Sequence, residues 1–179
     1  MAQIEKLFDP TGAAVDVAEA ALAPRPTSLS GLTVGLLDNT KPNATVLLEE
    51  LAEVLKRDHG VAATKLYTKD YFGTPMTTEL RDQLAAECDV VVTAIGDCGS
   101  CSAATVADGI LLERAGKPAA SICTDSFSPS GNAMAEVQGF PGYDFATIAH
   151  PVASLDVEQI RSRVQEALPQ ILRILGVER

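Results

Sequence analysis

The sequence predicts a doubly wound α/β domain built on a mainly parallel, five-stranded sheet. Three observations predict it. Short apolar runs alternate with longer amphipathic stretches about five times along the chain, as strands joined by crossover helices do. The runs read as strands buried on both faces, which is the habit of parallel sheets. Hydrophobic residues make up 46% of the chain, aromatics only 4%, and Trp is absent, so the core is aliphatic. A length of 179 residues suits one domain with a full core.

The elements follow in order. Residues 1–30 are rich in Ala, Pro and small polar residues, and Pro24 and Pro26 block regular structure. This segment is expected to be an arm that packs on the domain or on a second subunit, as in a homodimer. Residues 31–179 form the single α/β domain. "LTVGLLDN" (32–39) is an apolar run ended by turn residues, hence a strand. In the next stretch Val46, Leu47, Leu51, Val54 and Leu55 fall at helical spacing, with Gly60 as terminator and Asn43 as a candidate cap. "VAATKLYT" (61–68) is the second strand, and 77–88 a helix capped by Thr77 or Thr78. "DVVVTAIG" (89–96) is the clearest strand, followed by a helix over 102–116 closed by Gly116. "KPAASICT" (117–124) is the fourth strand, and a short helix is expected near 130–138. "YDFATIAH" (143–150) is the fifth strand, and 156–176 a closing helix with a kink expected near Pro169. Five such strands suggest the flavodoxin-like order 2-1-3-4-5, a Rossmann-like three-layer sandwich.

The formal net charge of −10 argues against a nucleic-acid binder and against attraction to an anionic membrane. The N-terminus lacks a basic region followed by an apolar one, and no apolar run reaches a membrane span. A cytoplasmic protein is expected, and there four cysteines serve metal binding, chemistry or packing rather than structural disulfides. Neither a GxGxxG nor a Walker A pattern occurs, so no dinucleotide or nucleotide cofactor is expected.

In open α/β sheets ligands sit outside the carboxyl ends of the strands. That rule gathers Asp38, Asn39 and Lys41 after the first strand, and Tyr67 and Lys69 after the second. Asp97, Cys98 and Cys101 follow the third strand, Cys123, Thr124, Asp125 and Ser126 the fourth, and His150 the fifth. Within "TAIGDCGSCSAAT" (93–105), Cys98 lies between a strand end and a helix start, where a thiol is partly ionised near neutral pH. The thiolate is the nucleophile, and Cys101, three residues on, is within reach to resolve a sulfur-linked intermediate. Gly96 and Gly99 permit a tight turn and leave room for a substrate beside Ser100. Asp97 and His150 are candidates for proton transfer, and Asp97 is equally a loop or cap residue. Lys41 suits a substrate carboxylate, while Asp38, Asn39, Thr124, Asp125 and Ser126 suit polar substrate groups. Cys123 is either a substrate contact or a small strand residue; with Cys98, Cys101 and His150 it is also the one conceivable metal set, although structural zinc sites usually carry paired motifs. Cys88, before the third strand, reads as packing, and His59 as a solvated helix end.

Four ordered stretches, "GLTVGLLDNTKPNAT", "IGDCGSCS", "LLERAGKPAASICTDSF" and "IAHPVASL", resemble the UGSC-motif (seleno)protein family over about Leu29–Leu155. That family is similar in turn to the selenoprotein B component of glycine, sarcosine and betaine reductases, in which the reactive residue cleaves a C–N bond. The resemblance places the reactive selenocysteine position at Cys98 and its partner at Cys101. The His-Pro element falls on His150 and Pro151, and the Asp-Asn-x-Lys-Pro-Asn element on Asp38, Asn39, Lys41, Pro42 and Asn43. The chain departs from the pattern in two ways. Position 98 holds Cys, a weaker nucleophile than selenocysteine. The helix after the motif often carries an aromatic residue and a His-Asp pair in the family, where this chain has Ala107 before Asp108.

Together these readings lead to the expectation of a thiol-dependent enzyme acting on a small molecule, by reductive C–X cleavage or thiol–disulfide exchange. An external thiol or thioredoxin-type partner would restore it. The alternatives are a non-redox cysteine hydrolase, hydratase or lyase, and a non-catalytic redox-sensing or metal-binding module.

Overall fold

The structure, a computed structural model, describes residues 21–177. Five strands, β1 (Thr33–Asp38), β2 (Ala63–Thr68), β3 (Val90–Gly96), β4 (Ala119–Thr124) and β5 (Ala146–Ile148), alternate with five helices. These are α1 (Ala44–His59), α2 (Thr78–Glu87), α3 (Gly99–Arg114), α4 (Ser128–Val137) and α5 (Val157–Ile174), with a 3₁₀ turn over Asp125–Phe127. All pairings are parallel and the order is β2-β1-β3-β4-β5, the order the sequence suggests. The chain leaves β1 outward to β2 and then returns past β1 to β3, so the topological switch lies between β1 and β3.

Three layers enclose two apolar cores. On one face Leu47, Leu51 and Leu55 of α1 and Ile160, Val164 and Ile171 of α5 pack on Val34, Leu36 and Val92. On the other, Leu84 of α2 and Leu112 of α3 meet Leu37 and Val91, and Val106 and Ile110 meet Ala135, Tyr143 and Phe145. β3 and β4 are buried at every residue, as their unbroken apolar runs require.

The edges carry the departures from expectation. β5 is three residues long rather than eight, because Tyr143 and Phe145 leave the ladder to fill the α3–α4 core. Its open edge is closed by α5. Gln170 accepts from Thr147 N at 3.0 Å and donates to Thr147 O at 2.8 Å, Glu166 accepts from Ala149 N, and Arg163 donates to Ala149 O. Side chains three and four apart on one helix face thus stand in for a sixth strand. Pro169 lies inside α5, which runs continuously over Val157–Ile174.

Thr77 caps α2 as expected, accepting from Leu80 N. Asn43 does not cap α1 with its side chain; its backbone is left-handed (φ 68°) and the amide reaches elsewhere. Of the expected arm, residues 1–20 lie outside the described residues. The described part packs on the domain through Glu113, which accepts from Ala23 N at 2.7 Å, Arg25 at 2.8 Å and Ala119 N at 2.7 Å. Among the described residues no helix is long and apolar enough to cross a membrane.

Candidate active site

β3 ends at Gly96, and the chain turns through Asp97 and Cys98 directly into α3. Cys98 is the N-cap: its Sγ accepts from Cys101 N at 3.3 Å, as a serine hydroxyl would. The helix therefore starts three residues earlier than the sequence pattern suggests, and Gly99, Ser100 and Cys101 form its first turn. Gly96 makes this close approach possible. A Cβ there would stand 2.6 Å from Cys123 Sγ and from Ser102 Oγ, and 2.7 Å from Ser102 Cα. Cys98 and Cys101 are joined as a disulfide, with Cα atoms 5.3 Å apart. Cys98 is half-buried, whereas Cys101 is 0% exposed. Ser100 Oγ lies 3.7 Å from Cys98 Sγ.

Asp97 points away from its neighbour and into the next loop. Its buried carboxylate accepts from Val152 N (3.1 and 3.2 Å) and Ala153 N (3.0 Å), and faces His150 Nδ1 at 2.9 Å. Thr124 donates its hydroxyl to Gly96 O and so presents a lone pair to the same Nδ1 at 3.3 Å. Two acceptors around Nδ1 place the proton of the neutral ring there, leaving Nε2 as the basic nitrogen. The His150 side chain is 33% exposed, and Phe127 packs edge-on against its ring. Its backbone N–H donates to Asp125 Oδ1, which also accepts from Ser126 N. These two bonds hold the Asp125 carboxyl below its ordinary range. The loop is fastened from the other side by Asn43, whose amide donates to Val152 O and Leu155 O, both at 2.9 Å.

The carboxyl end of β1 is bound to this centre. Asn39 Nδ2 donates to Ile95 O at 2.9 Å and to Thr105 Oγ1 at 3.3 Å, while its Oδ1 accepts from Lys41 N. Asn39 thus joins β1, the end of β3 and the helix that carries the cysteines. Asp38 accepts from Thr40 N and from Thr45 Oγ1. At 3% and 1% exposure, Asp38 and Asn39 shape the floor rather than meet solvent. Lys41 is half-exposed, with Nζ 4.6 Å above the Phe72 ring.

Cys123 lies beneath the motif, 0% exposed, its Sγ 3.9 Å from Ser102 O. Burial pushes this thiol up to about 12, so it stays neutral. Ser102 Oγ beside it is buried without a hydrogen-bond partner among the described residues. Cys88 packs against Leu84 and Val91 near the amino end of β3. Among the described residues no group of three or more His, Cys, Asp or Glu is placed to hold a metal ion.

Two rim residues of the sequence reading turn out differently. Tyr67 donates to Glu87 Oε2 and leans on Cys88, away from the strand ends. Lys69 turns inward to Asp108 of α3 at 2.6 Å, and both side chains are at most 3% exposed. Asp108 also accepts from Met76 N. A cleft of about 330 Å³ adjoins this pair, lined by Lys69, Tyr71, Met76 and Thr77 among others, and neither motif cysteine lines it. Sequence reasoning missed three features: the Asn43 clamp, the Phe72 platform and the Lys69–Asp108 pair. A signal existed for the third, a lone carboxylate within the apolar run "AATVADGILL", since such a group is buried only when paired.

A sequence model described as the UGSC family matches residues 6–177. No curated protein gives a significant match.

Proposed function

The chain belongs to the UGSC family, and from that premise and the site geometry we propose a thiol-dependent enzyme in which Cys98 attacks a small electrophilic substrate and Cys101 resolves the product. The observation that carries this reading is the asymmetry of the pair: Cys98 is half-buried and caps α3, while Cys101 is wholly buried in its first turn. Only the Cys98 sulfur is open to a substrate, and the helix terminus favours its thiolate. Cys101 is close enough to complete the disulfide.

The Cys98 thiolate attacks an electrophilic carbon of R–X, forming Cys98–S–R and releasing X⁻. The Cys101 thiol then attacks the Cys98 sulfur, forming the disulfide, and R leaves with the electron pair. His150 Nε2, the basic nitrogen facing away from Asp97, takes the Cys101 proton as that thiol attacks and delivers it to R. In sum R–X and two thiols give R–H, HX and one disulfide, so the substrate gains two electrons. Where the attacked atom is sulfur, the same sequence is thiol–disulfide exchange. An external thiol or thioredoxin-type dithiol, available in a cytoplasmic setting, reduces the disulfide and closes the cycle.

The test is the rate of iodoacetamide labelling of the reduced protein against pH, in wild type, Cys98→Ser and Cys101→Ser. The expected result is rapid labelling at Cys98 near neutral pH, retained in Cys101→Ser and lost in Cys98→Ser. With substrate, mass spectrometry of Cys101→Ser should trap an adduct on Cys98. If both variants label like wild type, the proposal is wrong.

A further inference from the structure

We infer that Lys41, held over the Phe72 ring, is the docking point for a carboxylate on the substrate, so that the electrophiles accepted by Cys98 are small monocarboxylates. This rests on Cys98 being the attacking thiol.

Charge is the first ground. The chain has 14 Lys and Arg against 24 Asp and Glu, so cations near the strand ends are scarce. Lys69 is consumed by Asp108. Arg163 is spent on Ala149 O and Glu166. Among the described residues, Lys41 has no carboxylate within ion-pair distance. An unpaired ammonium in a strongly acidic chain is a place where an anion gains attraction at little cost.

Position is the second. Asn39 N donates to Ala94 O and Asn39 Nδ2 to Ile95 O. The same side chain accepts from Lys41 N and donates to Thr105 of α3. Lys41 is therefore tied, through one residue, to the strand end and the helix between which Cys98 sits. This is also the topological switch point, where doubly wound folds bind ligands.

Pre-organisation is the third. The ammonium rests 4.6 Å over Phe72, whose ring packs at a tilt against Tyr71 with centroids 4.5 Å apart. A cation–π contact holds a lysine in place without neutralising it, so its N–H donors stay available. The carboxylates of the strand-end loops are held by other donors. Asp38 is taken up by Thr40 N and Thr45, Asp97 by Val152 N, Ala153 N and His150, and Asp125 by His150 N and Ser126 N. One ammonium with no carboxylate partner among the described residues offers a single positive charge, which suits a monoanion better than a phosphate dianion.

The probes are iodoacetate and iodoacetamide, which deliver similar electrophilic carbons with and without a carboxylate. The readout is the ratio of their second-order rates with reduced Cys98, divided by the same ratio for free cysteine. The ratio cancels general changes in thiol reactivity. One unit-charge pair at 4 Å contributes about fivefold even at the dielectric of water. Wild type should therefore show a normalised ratio of about five or more at low salt, falling towards one in 1 M salt. Lys41→Gln should bring it to about one, and Phe72→Leu should lower it part of the way. Lys117→Gln, at the amino end of the strands just before β4, should leave it at the wild-type value. An equal ratio in wild type and Lys41→Gln overturns the inference, and an unchanged ratio in Phe72→Leu overturns the role of the ring. If neither reagent modifies Cys98 faster than free cysteine, the nucleophile assignment itself falls, a result distinct from fast labelling without preference.

Discussion

Replacing Asp97 by Asn tests how the site is held together. The Asp97 side chain is 3% exposed and accepts from two backbone N–H groups while facing His150 Nδ1. Hydrogen bonds to a charged acceptor contribute about 1.5–3 kcal/mol each. An asparagine keeps one oxygen for Val152 N and Ala153 N but loses the charge, and its NH₂ must meet His150. The expected loss of stability is about 2–4 kcal/mol. For a domain of this size each kcal/mol lowers Tm by roughly 2–4 °C, so Tm should fall by roughly 4–16 °C. A second readout separates this from generic destabilisation. The new NH₂ needs an acceptor, so the neutral imidazole should move its proton from Nδ1 to Nε2. Nitrogen-15 shifts of His150 report that exchange directly. Urea unfolding gives the first number, and a double-mutant cycle with His150→Gln should return a coupling above about 1 kcal/mol. Stability within about 0.5 kcal/mol of wild type, with unchanged His150 shifts, would refute the reasoning.

Three further outcomes follow from the same contacts. Burial lifts the Asp108 carboxyl to about 6, against the pull of Lys69 and Met76 N. A folded-state value above the unfolded one contributes stability below about pH 4 that is lost as pH rises through about 6. Wild type should therefore lose on the order of 2–3 kcal/mol relative to Asp108→Asn between pH 4 and 7; a change of opposite sign in paired urea titrations would show the carboxyl is not desolvated. Gly96→Ala puts a methyl group 2.6 Å from Cys123 Sγ and Ser102 Oγ, so it should cost about 1–3 kcal/mol. It should also slow iodoacetamide labelling of Cys98 by shifting the start of α3, and unaltered labelling would rule that shift out. Glu113→Ala strands Ala23 N, Ala119 N and Arg25 at once; a loss of about 3–5 kcal/mol, with faster proteolysis between residues 21 and 30, is expected in chemical denaturation and limited-digestion assays.

Much of the fold was legible because period and burial coincide. "DVVVTAIG" is the clearest strand in the sequence, and β3 is buried along its whole length. The motif's place after β3 makes Cys98 the candidate nucleophile from sequence alone. What local pattern could not supply was direction. Gly99, Ser100 and Cys101 are poor helix formers, so α3 was expected to start at Ser102; it starts earlier because Cys98 Sγ caps it. Asn43 carried a cap signature, but its left-handed backbone turns the amide towards Val152 and Leu155, more than a hundred residues away. Tyr67 and Lys69 were placed on the rim by their position after β2. The neighbours that turned them aside, Glu87 and Asp108, lie on other elements.

The same long-range bonds answer an objection to the site itself. A carboxylate immediately before a nucleophilic cysteine should raise the thiol's pKa and blunt it. Asp97, however, is buried and directed at Val152 N, Ala153 N and His150. Those donors lie in the loop after β5, so its charge is balanced on the side away from α3. Cys98 is left with the other local field, the open N–H groups at the start of α3, and with Lys41 anchored through Asn39. Asp97 and Cys98 are adjacent in sequence because the turn after β3 must serve two loops at once: one residue fastens His150, and the next caps the helix with its half-buried sulfur.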